Sequence, residues 1–210
     1  ITVDGYGSME FALLEDYAAQ EVEHFEQLAG DHFFDGMPVY MVIKDYCFFA
    51  GDREGKAVGY NVSEDRSIKT VETEKNDTGD TDDISASPAY PFKGSLCITD
   101  ESIGNVPVRF AVIGTGTDFL EELKVLTEFK KVTLAEYLKQ AYGAEPDEDE
   151  LKLFEKYGGA PWLLGHCRVF GQMTEGEKVL DDIMKAVVFD DSQFKPMEDI
   201  VIEAVTVYQK

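Results

Sequence analysis

The chain has 210 residues, room for one domain with a sizeable core, and its 44% hydrophobic and 12% aromatic content is ordinary for a globular protein. Its charge is not ordinary: 42 Asp and Glu against 19 Lys and Arg give a net charge of −23. Such a surface repels phosphate backbones and anionic membranes, which argues against nucleic acid as a partner, and no apolar run is long enough to span a bilayer.

The opening ITVDGYGSMEFALLED alternates as a hairpin, with Gly5 and Gly7 between its apolar positions. AAQEVEHFEQLAGDHFFDG then reads as an amphipathic helix, with Val22, Phe25 and Leu28 on one face and Gly30 as its stop. In VYMVIKDYCFFAGD (39–52), two apolar runs flank the turn-like pair Lys44-Asp45, so the stretch predicts strand, tight turn and strand. It carries almost no group suited to catalysis.

Residues 61–87 turn sharply polar and predict an acidic surface loop, with a short strand near Ile68 to Val71. NDTGDTDD (76–83) misses the spacing of an EF-hand, so a solvated loop is the expectation over a calcium site. Asn61-Val62-Ser63 and Asn76-Asp77-Thr78 are sequons, which matter only in a glycosylating secretory pathway.

From Gly94 the pattern is strand-like again, in SLCIT and VPVRFAVIG. GTGTDF (114–119) lacks the third glycine of a dinucleotide loop and the Lys of a P-loop, so it predicts a turn before a helix capped by Thr117 or Asp118. Residues 115–160 predict a helical insertion in three pieces, the second opened by a capping box at Thr133. A strand near Cys167 to Phe170, an amphipathic helix over 175–187 and the alternating strand DIVIEAVTVY complete the chain. The sum is a mainly β, antiparallel fold with two helices of its own and an extra helical excursion.

Cys47, Cys97 and Cys167 are odd in number and form no CxxC, which predicts buried thiols rather than a disulfide framework or a zinc knuckle. His24, His32 and His166 have no spaced acid or His partner arguing for a metal.

The order of these segments resembles the cyclophilins, peptidyl-prolyl isomerases built as a closed eight-stranded antiparallel barrel with a helix at each end. EHFEQLAGDHFFDGMPVYMVIKDYCFFAGD is similar to the family's N-F-x-x-L-x-x-x-x-Y-D-G-x-x-F-H-R-V-I-x-x-F-M-x-Q-G-G-D block. PWLLGHCRVFGQMTEGEKVLDDI is similar to its W-L-D-G-x-H-x-V-F-G block, and a D-I-V-I-x-x-V-T-V strand closes both. The resemblance implies a single domain over 1–210, interrupted by the acidic loop and the helical insertion. FEKYGGAPWL also resembles the Y-x-x-x-G-G-T-P-W-L of secreted or lipid-anchored Gram-positive cyclophilins, which implies an extracytoplasmic, lipid-anchored location. The start at Ile1 fits a processed or trimmed chain whose targeting segment is missing.

Prolyl isomerisation must lower a rotation barrier of ~20 kcal/mol, and in the family a strand arginine does so by donating hydrogen bonds near the imide nitrogen. The matching position here is Met41, which has no donor. Tyr40 stands for the family's histidine, Val39 for its phenylalanine, Phe49 for the glutamine that binds substrate backbone, and Cys167 for the pocket histidine. The family's M-A-N and S-Q-F-F-I become Ile98-Thr99-Asp100 and Val108-Arg109-Phe110-Ala111-Val112, so Ala111 replaces the phenylalanine that floors the proline pocket. Trp162 and Leu163 keep their family identities.

The implied groove is therefore Tyr40, Met41, Tyr46, Cys47, Phe49, Thr99, Asp100, Phe110, Ala111, Trp162, Leu163 and Cys167, with Arg109 as the candidate catalytic donor. Two readings of Arg109 stand side by side. Either its guanidinium replaces the lost arginine from a neighbouring strand, or it neutralises Asp100 or another acid. The functional expectation is a module that grips a proline-containing peptide or protein segment with lost or much reduced isomerase activity. A rewired isomerase using Arg109 is the alternative, and neither implies a cofactor or metal. The sequence leaves the oligomeric state open.

Overall fold

The computed structural model describes residues 1–52, 89–99, 109–189 and 194–208. The acidic loop 61–87, its sequons, the strand expected near Ile68 to Val71, and Asp100 all lie outside the described residues.

The first hairpin forms from β1 (Thr2–Val3) and β2 (Gly7–Ser8), and the chain continues directly into β3 (Glu10–Leu13). Helix α1 (Glu15–Gly30) starts earlier than its apolar spacing predicts and kinks at Ala18, whose φ of −149° and ψ of 53° are non-helical. Its buried face carries Val22, Phe25 and Leu28, as their spacing requires. After β4 (Met37–Pro38), β5 (Met41–Ile43) and β6 (Cys47–Ala50) form the expected hairpin. Its turn is closed by the Tyr46 amide donating to the Ile43 carbonyl at 3.0 Å, with Asp45 at a φ of +58°.

Strands β7 (Ser95–Thr99) and β8 (Phe110–Ile113) follow. The helical insertion then delivers α2 (Thr117–Lys130), α3 (Leu134–Tyr142) and α4 (Glu148–Tyr157) between β8 and β9. The expected cap of α2 is corrected here. Gly116 is its N-cap and no side chain caps it, while Thr117 and Asp118 are already helical. Helix α3 has the predicted box, with Glu136 reaching back to the Thr133 amide at 2.8 Å, and α4 repeats it through Asp147 and Glu150.

A 3₁₀ turn, Pro161–Leu163, leads into β9 (Cys167–Glu175), which is longer than predicted. Helix α5 (Glu177–Met184) and β10 (Val201–Ala204) are both shorter than their patterns imply.

Among the described residues all ladders are antiparallel and form two sheets, ordered β2-β1-β10-β4 and β3-β9-β7-β8-β6-β5. Segments 7–13 and 37–43 each run from the first sheet into the second. The main core lies between the sheets, where Phe25 of α1 meets Phe34, Phe110 and Phe170 at ring distances of 5.1–5.7 Å. Each such buried side chain stabilises by about 1.5–3 kcal/mol relative to exposure. Because strand side chains alternate, residues next to these core positions point to the opposite face of the six-stranded sheet. That outward face builds the candidate site.

Candidate functional site

Alternation sorts the candidate residues. On β8, Phe110 and Val112 enter the main core, while Ala111 and Ile113 face outwards. On β6, Phe48 and Ala50 face in, and Cys47 and Phe49 face out. Phe110 therefore does not line the outward face with the other candidates. Its ring sits 5.7 Å from both Phe25 and Phe34.

The outward cluster brings together Cys47, Ala111, Leu163 and Cys167, with Tyr46, Phe49 and Trp162 packed against it. Thr99 lies on the same sheet, its backbone opposite Cys167. Cys97, which was not among the groove residues implied by the resemblance, also belongs here, opposite Ala111 and between Cys47 and Cys167 in strand order. Alternation through SLCIT with Leu96 inward would have found it.

All three cysteines are reduced and buried. A hydrogen bond to Cys167, then burial, pushes the Cys97 thiol well above its usual pKa, so it stays protonated and inert at neutral pH.

Met41 lies on β5 opposite Phe49, which in turn lies opposite Ala111. The Tyr40 ring is 6.3 Å from the Phe49 ring, and burial pushes its hydroxyl pKa up to about 12. Arg109, just ahead of β8, donates through Nη2 to Asp52 Oδ2 at 2.7 Å. The two side chains are only 10% and 2% exposed, so this is a buried ion pair rather than a surface contact. The ladder explains the meeting: Ala50 pairs with Phe110, which carries Asp52 past the end of β8 towards Arg109. The guanidinium also acts electrostatically on Tyr40, the residue beside Met41.

The insertion returns to this face through a Gly-Gly pair with a steric reason for each glycine. A Cβ at Gly158 would lie 2.7 Å from the Thr115 carbonyl oxygen, and one at Gly159 would lie 2.4 Å from that of Pro91. With φ of +69° and +117°, both positions also need glycine's backbone freedom. The Gly159 and Ala160 amides donate to those same two carbonyls at 2.9 Å. The chain is thus pinned before Pro161, and Trp162 is delivered against Tyr46 at a ring distance of 5.5 Å. Burial raises the Tyr46 hydroxyl pKa, opposed in part by a hydrogen bond from the Trp162 indole.

Chemically, this site offers a half-buried aromatic rim of Tyr46, Phe49 and Trp162 over a lining of small buried thiols and Ala111. Among the described residues, the guanidinium beside this face, Arg109, is tied to a carboxylate.

The family model for the cyclophilin type peptidyl-prolyl cis-trans isomerase matches residues 1–207. A Staphylococcus haemolyticus protein named "Putative peptidyl-prolyl cis-trans isomerase" is 28% identical over 204 residues, covering 97% of this chain and 88% of its own. A Staphylococcus aureus protein of the same name is 26% identical over 201 residues, covering 96% and 87%. A crystal structure of a Cryptosporidium parvum cyclophilin type isomerase, determined in the presence of the dipeptide Ala-Pro, superposes with a TM-score of 0.59 at 15% identity. The match spans 98% of this chain and 96% of that one. With the family match running nearly end to end, the chain belongs to the cyclophilin-type peptidyl-prolyl cis-trans isomerase family.

Proposed function

We propose that this chain is a peptide-binding module of the cyclophilin family that holds proline-containing segments while catalysing their isomerisation weakly or not at all. One observation carries the reading. The family's arginine position is Met41, and the nearby guanidinium of Arg109 is committed to Asp52 at 2.7 Å in a buried pair. Catalysis depends on a donor held within hydrogen-bond reach of the imide nitrogen, where a misplacement of about an ångström is already costly, and a guanidinium held by its counter-ion does not meet that demand. Stacking and burial against Tyr46, Phe49 and Trp162 need no such donor, so affinity can outlast activity.

Trp162 is the chain's only tryptophan, which makes its emission a direct test. Titration with the tetrapeptide Ala-Ala-Pro-Phe shifts the emission saturably if the reading holds, whereas Ala-Ala-Ala-Phe does not. Equal responses to both would remove the prolyl specificity on which the proposal stands.

A second reading is favoured by one observation, the electrostatic influence of Arg109 on Tyr40. It supports a reading in which the guanidinium anchors a peptide carbonyl while Asp52 orients it. In that case the chain is an isomerase with a rewired donor.

We infer further that the barrel closes with eight strands. With segments 7–13 and 37–43 each taken as one strand, the order returns to its start through β9, β7, β8, β6, segment 37–43, β10 and β1. The whole chain is then one domain with the 61–87 loop and the 115–160 insertion as additions. An extracytoplasmic, lipid-anchored location rests on the FEKYGGAPWL resemblance, and fractionation of the source cells would test it.

A further inference from the structure

The aromatic rim does not end at Trp162. The Phe119 ring of α2 lies 5.5 Å from it and the Tyr142 ring of α3 lies 6.2 Å from it, with Tyr137 a further 6.2 Å beyond Tyr142. With Tyr46 also against Trp162, the rings form a connected series of contacts from the β5–β6 turn onto the helical insertion. The row is held rigid from beneath. Leu138 anchors α3 with no exposure, the Thr133 box fixes the helix start, and α3 packs directly on the 3₁₀ turn that carries Trp162. Tyr142 nevertheless keeps 46% of its surface open, and Tyr46, Phe119, Tyr137 and Trp162 remain partly open.

We propose that this row is a second subsite, which takes a polyproline II segment lying next to the proline held in the groove. The inference rests on the reading of Trp162 as part of the peptide groove and names the substrate class of that site: a proline-rich rather than a merely proline-containing segment. Three features point to this occupant. Polyproline II repeats every three residues, roughly 9 Å, and docks on rows of aromatic side chains because its pyrrolidine rings stack there at little entropic cost. The Tyr46–Trp162 and Trp162–Tyr142 spacings of 5.5 and 6.2 Å keep the outer rings no farther apart than the two together, a span that accommodates one such turn. The row is continuous with the groove, so one uninterrupted peptide can cover both. The net charge of −23 also favours basic residues in the tail.

Calorimetry with five peptides tests the proposal: Ala-Ala-Pro-Phe, the same peptide carrying a Pro-Pro-Leu-Pro-Pro-Arg tail at its N- or at its C-terminus, and the same peptide with a Gly-Ser tail of equal length at the N- or at the C-terminus. The proline-rich tail at one of the two ends should tighten binding roughly tenfold over the Gly-Ser tail. Tyr142→Ala should abolish that gain, Tyr142→Phe should keep it, and neither should alter binding of the tetrapeptide. The inference is overturned if neither proline-rich tail outperforms Gly-Ser, or if Tyr142→Ala retains the gain. Tetrapeptide binding without a tail effect removes the second subsite alone. Tail-dependent binding that Tyr142→Ala abolishes, with no measurable affinity for the tetrapeptide, removes the groove reading and leaves the aromatic row.

Discussion

Replacing Arg109 with Met, alone and together with Asp52→Leu, tests whether the pair is as buried as its geometry implies. At 2.7 Å, with side chains 10% and 2% exposed, both charges have given up most of their hydration, and each helps to compensate the other. Arg109→Met takes the cation from a buried carboxylate and should cost about 3–5 kcal/mol, the range for breaking a buried pair from one side. For a chain of this size that is a fall in Tm of roughly 6–20 °C. Asp52→Leu alone should cost a similar amount by taking a buried carboxylate away from the guanidinium. The double variant replaces the pair with apolar groups of similar bulk and should recover most of the loss, since buried ion pairs often give little net stability over a hydrophobic isostere. Urea unfolding of the four proteins gives the coupling energy directly. Single-variant losses below ~1 kcal/mol with no coupling would mean the pair behaves like a solvated surface bridge. Arg109 would then be mobile enough to serve a ligand, and the reasoning that removes it from catalysis would fail.

Three other outcomes follow from the geometry. Gly159→Ala should unfold or strongly destabilise the protein, because its Cβ would collide with the Pro91 carbonyl at 2.4 Å; a normal melting curve would show that the 158–162 segment can shift. Ala111→Phe restores the family's pocket residue, but Ala111 is 1% exposed among Cys47, Cys97, Leu163 and Cys167, so over-packing should cost about 1–3 kcal/mol; an unchanged melting temperature would reveal room beneath the rim. Burial lowers the pKa of His24, which lies one turn after Glu21 on α1, where Glu21 pairs with Arg168. Above pH ~6.5 both folded and unfolded His24 are neutral and stability is full. Below that the unfolded chain takes up a proton that the folded protein resists, so stability falls until the lowered folded value is reached. His24→Gln should flatten urea midpoints between pH 6.5 and 5, and an unchanged slope would assign the loss to other groups.

Much of the fold was legible because its signals are local. The Lys44-Asp45 turn, the Val22–Phe25–Leu28 face and the Thr133 box each lie within a few residues, and each formed as read. The α2 cap misled because Thr117 and Asp118 are good capping residues in the wrong place: the chain turns one residue earlier, at Gly116. At the site, alternation decides what composition cannot. Phe110 and Ala111 are neighbours, so only one can face outwards, and Cys97 shares its face with Ala111 although the two are far apart in sequence. The Arg109–Asp52 pair was readable only as an arginine meeting some acid. Its partner is set by the β6–β8 register, which brings together residues 57 positions apart and leaves no mark in either local sequence. The row running from Trp162 to Tyr142 is likewise a product of how α3 packs on the 3₁₀ turn.

The central claim, binding without much catalysis, is most directly tested by exchange NMR on Ala-Ala-Pro-Phe with wild-type protein. Free prolyl bonds exchange over tens of seconds, so even weak acceleration is measurable. The account predicts that the peptide's resonances shift as protein is added while cis–trans exchange stays at the uncatalysed rate. Exchange cross-peaks at substoichiometric protein would contradict it and establish a working isomerase whose donor is not at position 41.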